Sequence, residues 1–116
     1  MRVLIVDDQP RVRQALRTLL EQEEIIVAGE AGGAEEAQDH LRQCCPDVVL
    51  LDWGLHGAPA SSLLAHLRHS YPHVRVVVLS GQPGVEQDAL AAGADAFVSK
   101  ADPPERLLEA LRPEQP

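Results

Sequence analysis

Five short apolar runs recur along the 116-residue chain, and they constrain its fold more than any other feature. The runs are rich in valine, leucine and isoleucine, which favours β-strands. Most of them show no polar alternation, which is typical of parallel strands buried on both faces of a sheet. The runs are VLIV (3–6), IIVAGE (25–30), VVLL (48–51), VRVVVLS (74–80) and AFVS (96–99).

Segments with the apolar spacing of helices lie between and after these runs. Prolines at positions 10, 103 and 104 suit helix starts. Strand and helix therefore alternate five times, which predicts an α/β fold with a doubly wound parallel sheet and helices on both faces. The helical positions are Val12, Leu16, Leu19 and Leu20; Ala34, Ala37, Leu41 and Cys44 or Cys45; Leu63, Leu64 and Leu67; a stretch from Val85 to Ala92; and Leu107, Leu108 and Leu111.

Composition and charge narrow the class of protein. Hydrophobic residues make up 45% of the chain, which indicates a globular domain. The formal net charge of −8 argues against direct nucleic-acid binding and favours cationic ligands, including metal ions. The chain enters its first apolar run at Val3 without a long apolar segment and cleavage site, so we expect no signal peptide and no membrane span.

The two cysteines, Cys44 and Cys45, are adjacent in the sequence. A disulfide between neighbours is strained, and two adjacent thiols do not have the spacing of a zinc site. We therefore expect two small apolar residues at a helix end, in a protein of the reducing cytoplasm.

Polar side chains follow four of the five predicted strands. Asp7 and Asp8 follow the first, Asp52 the third, Ser80 ends the fourth, and Lys100 comes directly after the fifth. The carboxyl ends of parallel strands share one edge, where ligands of open α/β sheets bind. The sequence therefore predicts that these five side chains converge in one shallow site.

These residue types point to phosphoryl transfer. Neighbouring carboxylates repel one another, and a divalent cation relieves that repulsion; oxygen ligands suit Mg²⁺. Lys100 is the only lysine in the chain, and its amine supplies a compact positive charge opposite the acids. The Ser80 hydroxyl can donate to a phosphoryl oxygen. A carboxylate nucleophile, a metal and a cation together describe transfer of a phosphoryl group to aspartate.

Each of these residues also has an ordinary explanation when it is taken alone. An Asp after a strand is usually a turn residue or a helix cap, Ser-Gly is common in turns, and a lysine is usually solvated. Five such residues at the ends of four strands favour the functional interpretation.

The sequence strongly resembles the receiver domain of bacterial two-component response regulators. The segments that carry the resemblance are VLIVDDQPRVRQALRTLL, PDVVLLDWGLHG, VVVLSG and AGADAFVSKADPPERLLEAL. The resemblance covers nearly the whole chain and implies one receiver domain over residues 1–116. It also implies a flavodoxin-like sheet of strand order 2-1-3-4-5 with five surrounding helices.

The resemblance further implies a role for the acidic residues. Asp52 would accept a phosphoryl group from a phosphohistidine on a sensor histidine kinase. Asp8 and Asp52 would bind Mg²⁺ directly together with the backbone carbonyl of Gly54, and Asp7 would act nearby through water. The only catalysis would be the domain's own phosphorylation and dephosphorylation. A homodimer is a further assembly that we consider for the domain.

The remaining implied roles concern the switch. Lys100 would pair with the phosphoryl oxygens, and Ser80 would move toward the phosphoryl group and donate to it. Phe97 stands at the aromatic position that turns inward in the family, although plain core packing explains it equally well. Trp53 is either packed on the neighbouring helix, which we favour, or part of a partner-docking or site-shielding surface.

Some positions depart from the commonest family pattern. His56 stands where many receivers have proline, and Pro59-Ala60 stands where Asp-Gly is frequent, so we expect an unusual loop before the third helix. We interpret His56 as a solvated loop residue outside the site. Ala101 replaces a common proline, and a cis bond costs far more without proline, so we expect a trans link or a remodelled loop.

Three other classes of protein fit the sequence less well. An aspartyl-phosphate phosphatase of the haloacid-dehalogenase kind needs its nucleophile after the first strand and a second Asp two residues on, where this chain has Gly54 after Asp52. A pseudo-receiver would not need the intact acid set and Lys100. A dinucleotide-binding fold would need a glycine-rich loop after the first strand.

The segment SKADPPERLLEALR resembles receivers attached to transcription regulators of the NarL/LuxR type. The sequence leaves open whether the chain is part of such a regulator or a stand-alone receiver.

Overall fold

The computed structural model describes residues 1–55 and 59–112. In this part of the chain five strands alternate with five helices, as the apolar runs predict. The strands are β1 (Arg2–Val6), β2 (Ile26–Ala31), β3 (Val48–Asp52), β4 (Arg75–Ser80) and β5 (Ala96–Ser99). The helices are α1 (Pro10–Gln22), α2 (Ala34–Cys44), α3 (Ala60–Ser70), α4 (Glu86–Ala91) and α5 (Pro104–Leu111).

The strands form one parallel sheet in the order β2-β1-β3-β4-β5. This confirms the doubly wound fold and the strand order implied by the resemblance. The chain leaves β1 toward one edge of the sheet and continues from β3 toward the other. The switch point therefore lies between β1 and β3, where open α/β sheets bind ligands.

Hydrophobic cores cover both faces of the sheet, which explains the lack of polar alternation in its central strands. In β1, Leu4 and Val6 face the core under α2 and α3, whereas Val3 and Ile5 face the core under α1 and α5. Successive strand residues point to opposite faces, so both sets must be apolar. The edge strand β2 is the exception, since Ile26 is 54% exposed.

Prolines begin two of the helices, as the sequence predicts. Pro10 and Pro104 occupy the first helical positions of α1 and α5, where the missing N–H has no intrahelical partner to lose. Pro59 precedes α3 as its N-cap.

The described residues contain no cis peptide bond, which confirms the expected trans link between Lys100 and Ala101. His56 lies outside the described residues.

The two cysteines lie at the end of α2 and carry no disulfide. The Cys44 thiol donates to the carbonyl oxygen of His40 at 2.8 Å, and burial raises the pKa of Cys44. Cys45 is the C-cap in the left-handed region and is exposed, so only Cys44 is packed as expected.

No helix within residues 1–55 and 59–112 has the length and apolar character that crossing a bilayer requires.

The packing of the sheet yields a prediction about stability. Leu64 of α3 is fully buried against the sheet, whereas Leu90 of α4 is 42% exposed. Leu64→Ala should lower the free energy of unfolding by about 2–5 kcal/mol, because it removes buried methyl groups and leaves a cavity. Leu90→Ala is the matched control and should change it by less than about 0.5 kcal/mol. Urea denaturation measures both; equal losses would contradict this account of the core.

Candidate phosphoryl-transfer site

The buried polar residues of the described chain lie together at the carboxyl edge of the sheet. They are Asp7, Asp52 and Ser80, with 1%, 5% and 3% of their surface exposed. Asp7 follows β1, Asp52 ends β3, and Ser80 ends β4, so the three lie on adjacent strands around the switch point. Burying ionisable groups is unfavourable unless they are paired, which marks this edge as a functional candidate.

Three carboxylates converge at this edge. One oxygen from each of Asp7, Asp8 and Asp52 lies within 4.8 Å of the other two, and Asp8 is half-buried. The convergence follows from strand order, because β1 and β3 are neighbours. The donor set consists only of oxygen atoms, which fits a small hard cation such as Mg²⁺.

Lys100 follows the edge strand β5 and reaches the buried acids across the end of β4. Its Nζ atom lies 3.1 Å from Asp7 Oδ2 and 3.4 Å from Asp52 Oδ1. Burial by itself lowers the pKa of Lys100, but the hydrogen bond to Asp7 and the charges of Asp52 and Asp7 outweigh it and raise the pKa above its ordinary value. The amine is therefore charged at neutral pH, which makes it a cation fixed beside Asp52.

Backbone amides hold two of the carboxylates in place. The Gly54 N–H donates to Asp52 Oδ1 at 3.1 Å, and the Gln9 N–H donates to Asp7 Oδ1 at 2.9 Å. Each contact spans two residues, which is the geometry of an aspartate turn. The turn hydrogen bonds that the sequence offered as an ordinary explanation are thus present, and they orient the same carboxylates that form the cluster.

Gly54 leaves space beside the candidate nucleophile. A Cβ atom at this position would lie 3.6 Å from Asp52 Oδ1. Any larger side chain at position 54 would therefore stand next to the carboxylate.

Ser80 and Phe97 lie on neighbouring strands near the cluster. The Ser80 Oγ atom accepts a hydrogen bond from the Gln82 N–H at 3.0 Å, an ordinary turn contact. Phe97 pairs with Val78 across β4 and β5 and packs, half-buried, against the core under α2 and α3. Its role as a switch stays a prediction. Trp53 is half-buried and packs against the same core, as the packing interpretation predicts.

Arg13 also reaches this edge, although the sequence patterns did not single it out. Its Nη1 atom donates to the backbone carbonyl oxygen of Asp7 at 2.6 Å, and its Nε atom lies 3.3 Å from Glu30 Oε1. The available signal was the spacing of Arg13 and Arg17 on one helix face, with Glu30 near the end of β2. That signal becomes informative only once β2 is placed beside β1.

Comparison with known proteins identifies the family. The family model described as "Response regulator receiver domain" matches residues 3–112. The chain belongs to this family. Receiver domains are signalling modules of response regulators, so the resemblance drawn from the sequence is confirmed at the level of the family.

Two curated relatives differ in how much of them the receiver covers. "Transcriptional activator protein ExaE" of Pseudomonas putida is 36% identical over 115 residues, which are 97% of this chain and 54% of that protein. "Chemotaxis protein CheY" of Thermotoga maritima is 32% identical over 112 residues, which are 95% of this chain and 93% of that protein. The chain therefore spans about half of the first relative and nearly all of the second.

A solved structure agrees with the same fold. A two-component response regulator of the LuxR family from an Aurantimonas species superposes with a TM-score of 0.86 at 32% identity. The match covers 93% of this chain and 79% of that one.

The pairing of Lys100 with two buried carboxylates yields a prediction. Lys100→Gln should lower the free energy of unfolding of the metal-free receiver by roughly 1–3 kcal/mol at pH 7. This is less than the ~3–5 kcal/mol for breaking a fully buried pair, because Lys100 is partly exposed.

The raised pKa of Lys100 sets the pH dependence of that difference. Because the pKa of Lys100 is higher in the folded protein than in the unfolded chain, the ion pair contributes its full stability below the unfolded pKa of about 10.4. This contribution is lost as the pH rises through the folded-state pKa. The difference between Lys100→Gln and the unaltered receiver should stay constant from pH 7 to 9 and shrink only in more alkaline solution. Urea denaturation at several pH values checks this, and a difference that vanishes by pH 9 would exclude the ion pair as its source.

Proposed function

We propose that this receiver is a phosphorylation-dependent signalling switch in a two-component phosphorelay. In this proposal Asp52 accepts a phosphoryl group from a phosphohistidine of a sensor histidine kinase, with Mg²⁺ as cofactor. One observation carries it: Asp52 is buried at the end of β3, beside two further carboxylates and the Lys100 amine. Membership of the receiver family supports the same assignment.

The chemistry is an in-line displacement at phosphorus. Because the Gly54 N–H and Lys100 both contact Oδ1 of Asp52, we assign the attack to Oδ2. A bond forms between that oxygen and phosphorus as the phosphorus–nitrogen bond of the donor breaks. The electron pair stays on the imidazole nitrogen, which takes up a proton. Asp52 needs no general base, since its carboxylate is the nucleophile.

The acidic cluster supplies the ligands for the cofactor. Asp8, Asp52 and the Gly54 carbonyl would hold Mg²⁺ directly, and Asp7 would contribute through water. When bound, the cation neutralises charge on the transferring phosphoryl oxygens. Asp7 is suited to the indirect role because both of its carboxylate oxygens already accept hydrogen bonds, one from Gln9 and one from Lys100.

Lys100 supplies the positive charge on the protein side. Its amine lies within 3.4 Å of Asp52 Oδ1 and is kept protonated by its raised pKa. In the phosphorylated receiver it would pair with a phosphoryl oxygen. The hydrogen bond to Asp7 keeps the amine near that position before transfer.

The response would begin at Ser80 and Phe97. In the described structure the Ser80 hydroxyl has an acceptor role toward Gln82, so its proton remains available for a phosphoryl oxygen. Movement of Ser80 would draw the end of β4 toward Asp52 and let Phe97 turn inward from β5. The altered surface would then control an effector or partner. By analogy with the relative described as a transcriptional activator, we propose transcriptional regulation in a longer protein, within the cytoplasm.

Phosphorylation should be specific to Asp52. Incubation with acetyl phosphate and Mg²⁺ should add the mass of one phosphoryl group and change the fluorescence of the adjoining Trp53. Asp52→Asn should abolish the added mass, because the amide is not a nucleophile. The matched control is Asp39→Asn on α2, an exposed carboxylate paired with Arg42, which should be modified like the unaltered receiver. Modification that persists in Asp52→Asn or without Mg²⁺ would contradict the proposal.

A folded receiver that is never modified would instead fit a pseudo-receiver, which acts only through constitutive partners. Dispersed amide chemical shifts or a native circular dichroism spectrum of the treated protein would establish that it was folded during the test.

Gly54 should shorten the life of the phosphorylated state. Gly54 places no side chain beside the Asp52 carboxylate, which would leave water an approach to the acyl phosphate. Gly54→Asn should slow phosphate release by roughly 10-fold, a barrier change of about 1.4 kcal/mol. Phosphate release from purified phosphorylated protein measures the rate, with Gly33→Asn at the remote start of α2 as the control. Equal rates in Gly54→Asn and the unaltered receiver would remove the idea.

A further inference from the structure

The backbone of Asp7 is fixed from both sides, and only one of the contacts comes from the sheet. Its N–H donates to the carbonyl oxygen of Ala31 in β2 at 3.0 Å. Its carbonyl oxygen accepts the 2.6 Å hydrogen bond from Arg13 Nη1. That carbonyl belongs to the peptide group that joins Asp7 to Asp8. The orientation of this peptide sets the directions in which the two carboxylates leave the main chain.

Arg13 is itself anchored to the sheet. Its Nε atom pairs with Glu30 Oε1 at 3.3 Å, and Arg17 Nε pairs with Glu30 Oε2 at 2.6 Å. The Arg13 side chain is only 20% exposed, so its position is well defined. Glu30 is the register partner of Ile5, two residues before Asp7. The guanidinium thus connects α1, the end of β2 and the turn after β1.

We propose that Arg13 is a positioning residue for the cation binding that phosphoryl transfer requires. It acts through the Asp7 carbonyl, which holds the Asp7–Asp8 peptide so that both carboxylates face Asp52. The inference rests on the proposed function, because it concerns how the same site is assembled. An arginine suits this role since its planar fork can satisfy two acceptors with fixed geometry.

The sign of the effect distinguishes positioning from simple charge. Arg13 is a cation near an acidic cluster, so removing its charge should tighten Mg²⁺ binding if electrostatics alone matter. If Arg13 orients the ligands, its removal should weaken binding, as loss of a partner behind a metal ligand typically does by about 10–100-fold. The two explanations therefore predict opposite changes.

The test compares Mg²⁺ affinity in Arg13→Gln, Arg13→Lys and the unaltered receiver. Affinity is measured by Trp53 fluorescence and by the Mg²⁺-induced rise in melting temperature, which follows from preferential binding to the folded state. We expect Arg13→Gln to weaken binding by about 10-fold. Arg13→Lys keeps the charge but loses the fork, so we expect it to be weakened as well. Arg11→Gln is the matched control, because it removes the same charge from an exposed position of α1 that contacts neither Asp7 nor Glu30, and its affinity should equal or slightly exceed that of the unaltered receiver.

Kinetics with acetyl phosphate provide an independent readout. The Mg²⁺ concentration for half-maximal phosphorylation should rise in Arg13→Gln by the same factor as the dissociation constant, whereas the rate at saturating Mg²⁺ should change little. Should Arg13→Gln fail to fold, Arg13→Lys decides the question, since any loss of affinity at constant charge is geometric.

The outcomes separate this inference from the function on which it rests. If the unaltered receiver binds Mg²⁺ and is phosphorylated on Asp52 while both Arg13 variants bind Mg²⁺ as tightly, the positioning role is wrong and the switch function stands. If the unaltered receiver neither binds Mg²⁺ nor is phosphorylated, both are wrong.

Discussion

The ion pairing of Lys100 with Asp7 and Asp52 is the interaction on which this site depends. Two buried carboxylates on neighbouring strands repel each other, and a nearby cation makes their burial tolerable. The lysine follows β5, whereas the acids follow β1 and β3, so the contact crosses the end of β4. That end is Ser80-Gly81, and a Cβ atom on Gly81 would already lie 3.9 Å from Lys100 Cδ. Small residues at the end of β4 therefore give the amine its path to the acids.

The elements of the fold could be predicted because the sheet is buried on both faces. β1 and β3 are apolar at every position facing either core, so their runs are unbroken in the sequence. Pro10 and Pro104 fixed two helix starts for a local steric reason. The edge strand β2 obeys the pattern less well, since Ile26 is largely exposed. The prediction succeeded there because five alternating elements leave few ways to arrange a parallel sheet.

The convergence of the acids could also be predicted, whereas the contacts that orient them could not. Strand order alone brings Asp8 close to Asp52. Lys100 could be singled out because it is the one lysine beside nine arginines in the sequence. The bond from Arg13 to the Asp7 carbonyl depends on a side-chain conformation and on the register between β1 and β2, which includes an irregularity between Val3 and Leu4. No periodicity in the sequence encodes that register. The aspartate turns were foreseeable only as alternatives to a functional role, yet the turn contacts and the acidic cluster involve the same residues.

The distribution of packing around the site determines where a new charge at Asp52 can be accommodated. On the β1 side, Asp7 is fixed by Gln9, Lys100 and the backbone contacts of Ala31 and Arg13. On the β4 side, the Ser80 side chain makes a single turn hydrogen bond within the part of the chain that the structure describes, α4 has six residues, and β5 is half-buried along most of its length. Local rearrangement costs least where few buried contacts must break. A phosphoryl group on Asp52 would therefore displace the end of β4, α4 and β5 before it displaced the turn after β1, because that turn is anchored on both sides, whereas the Ser80 hydroxyl is held by one turn contact.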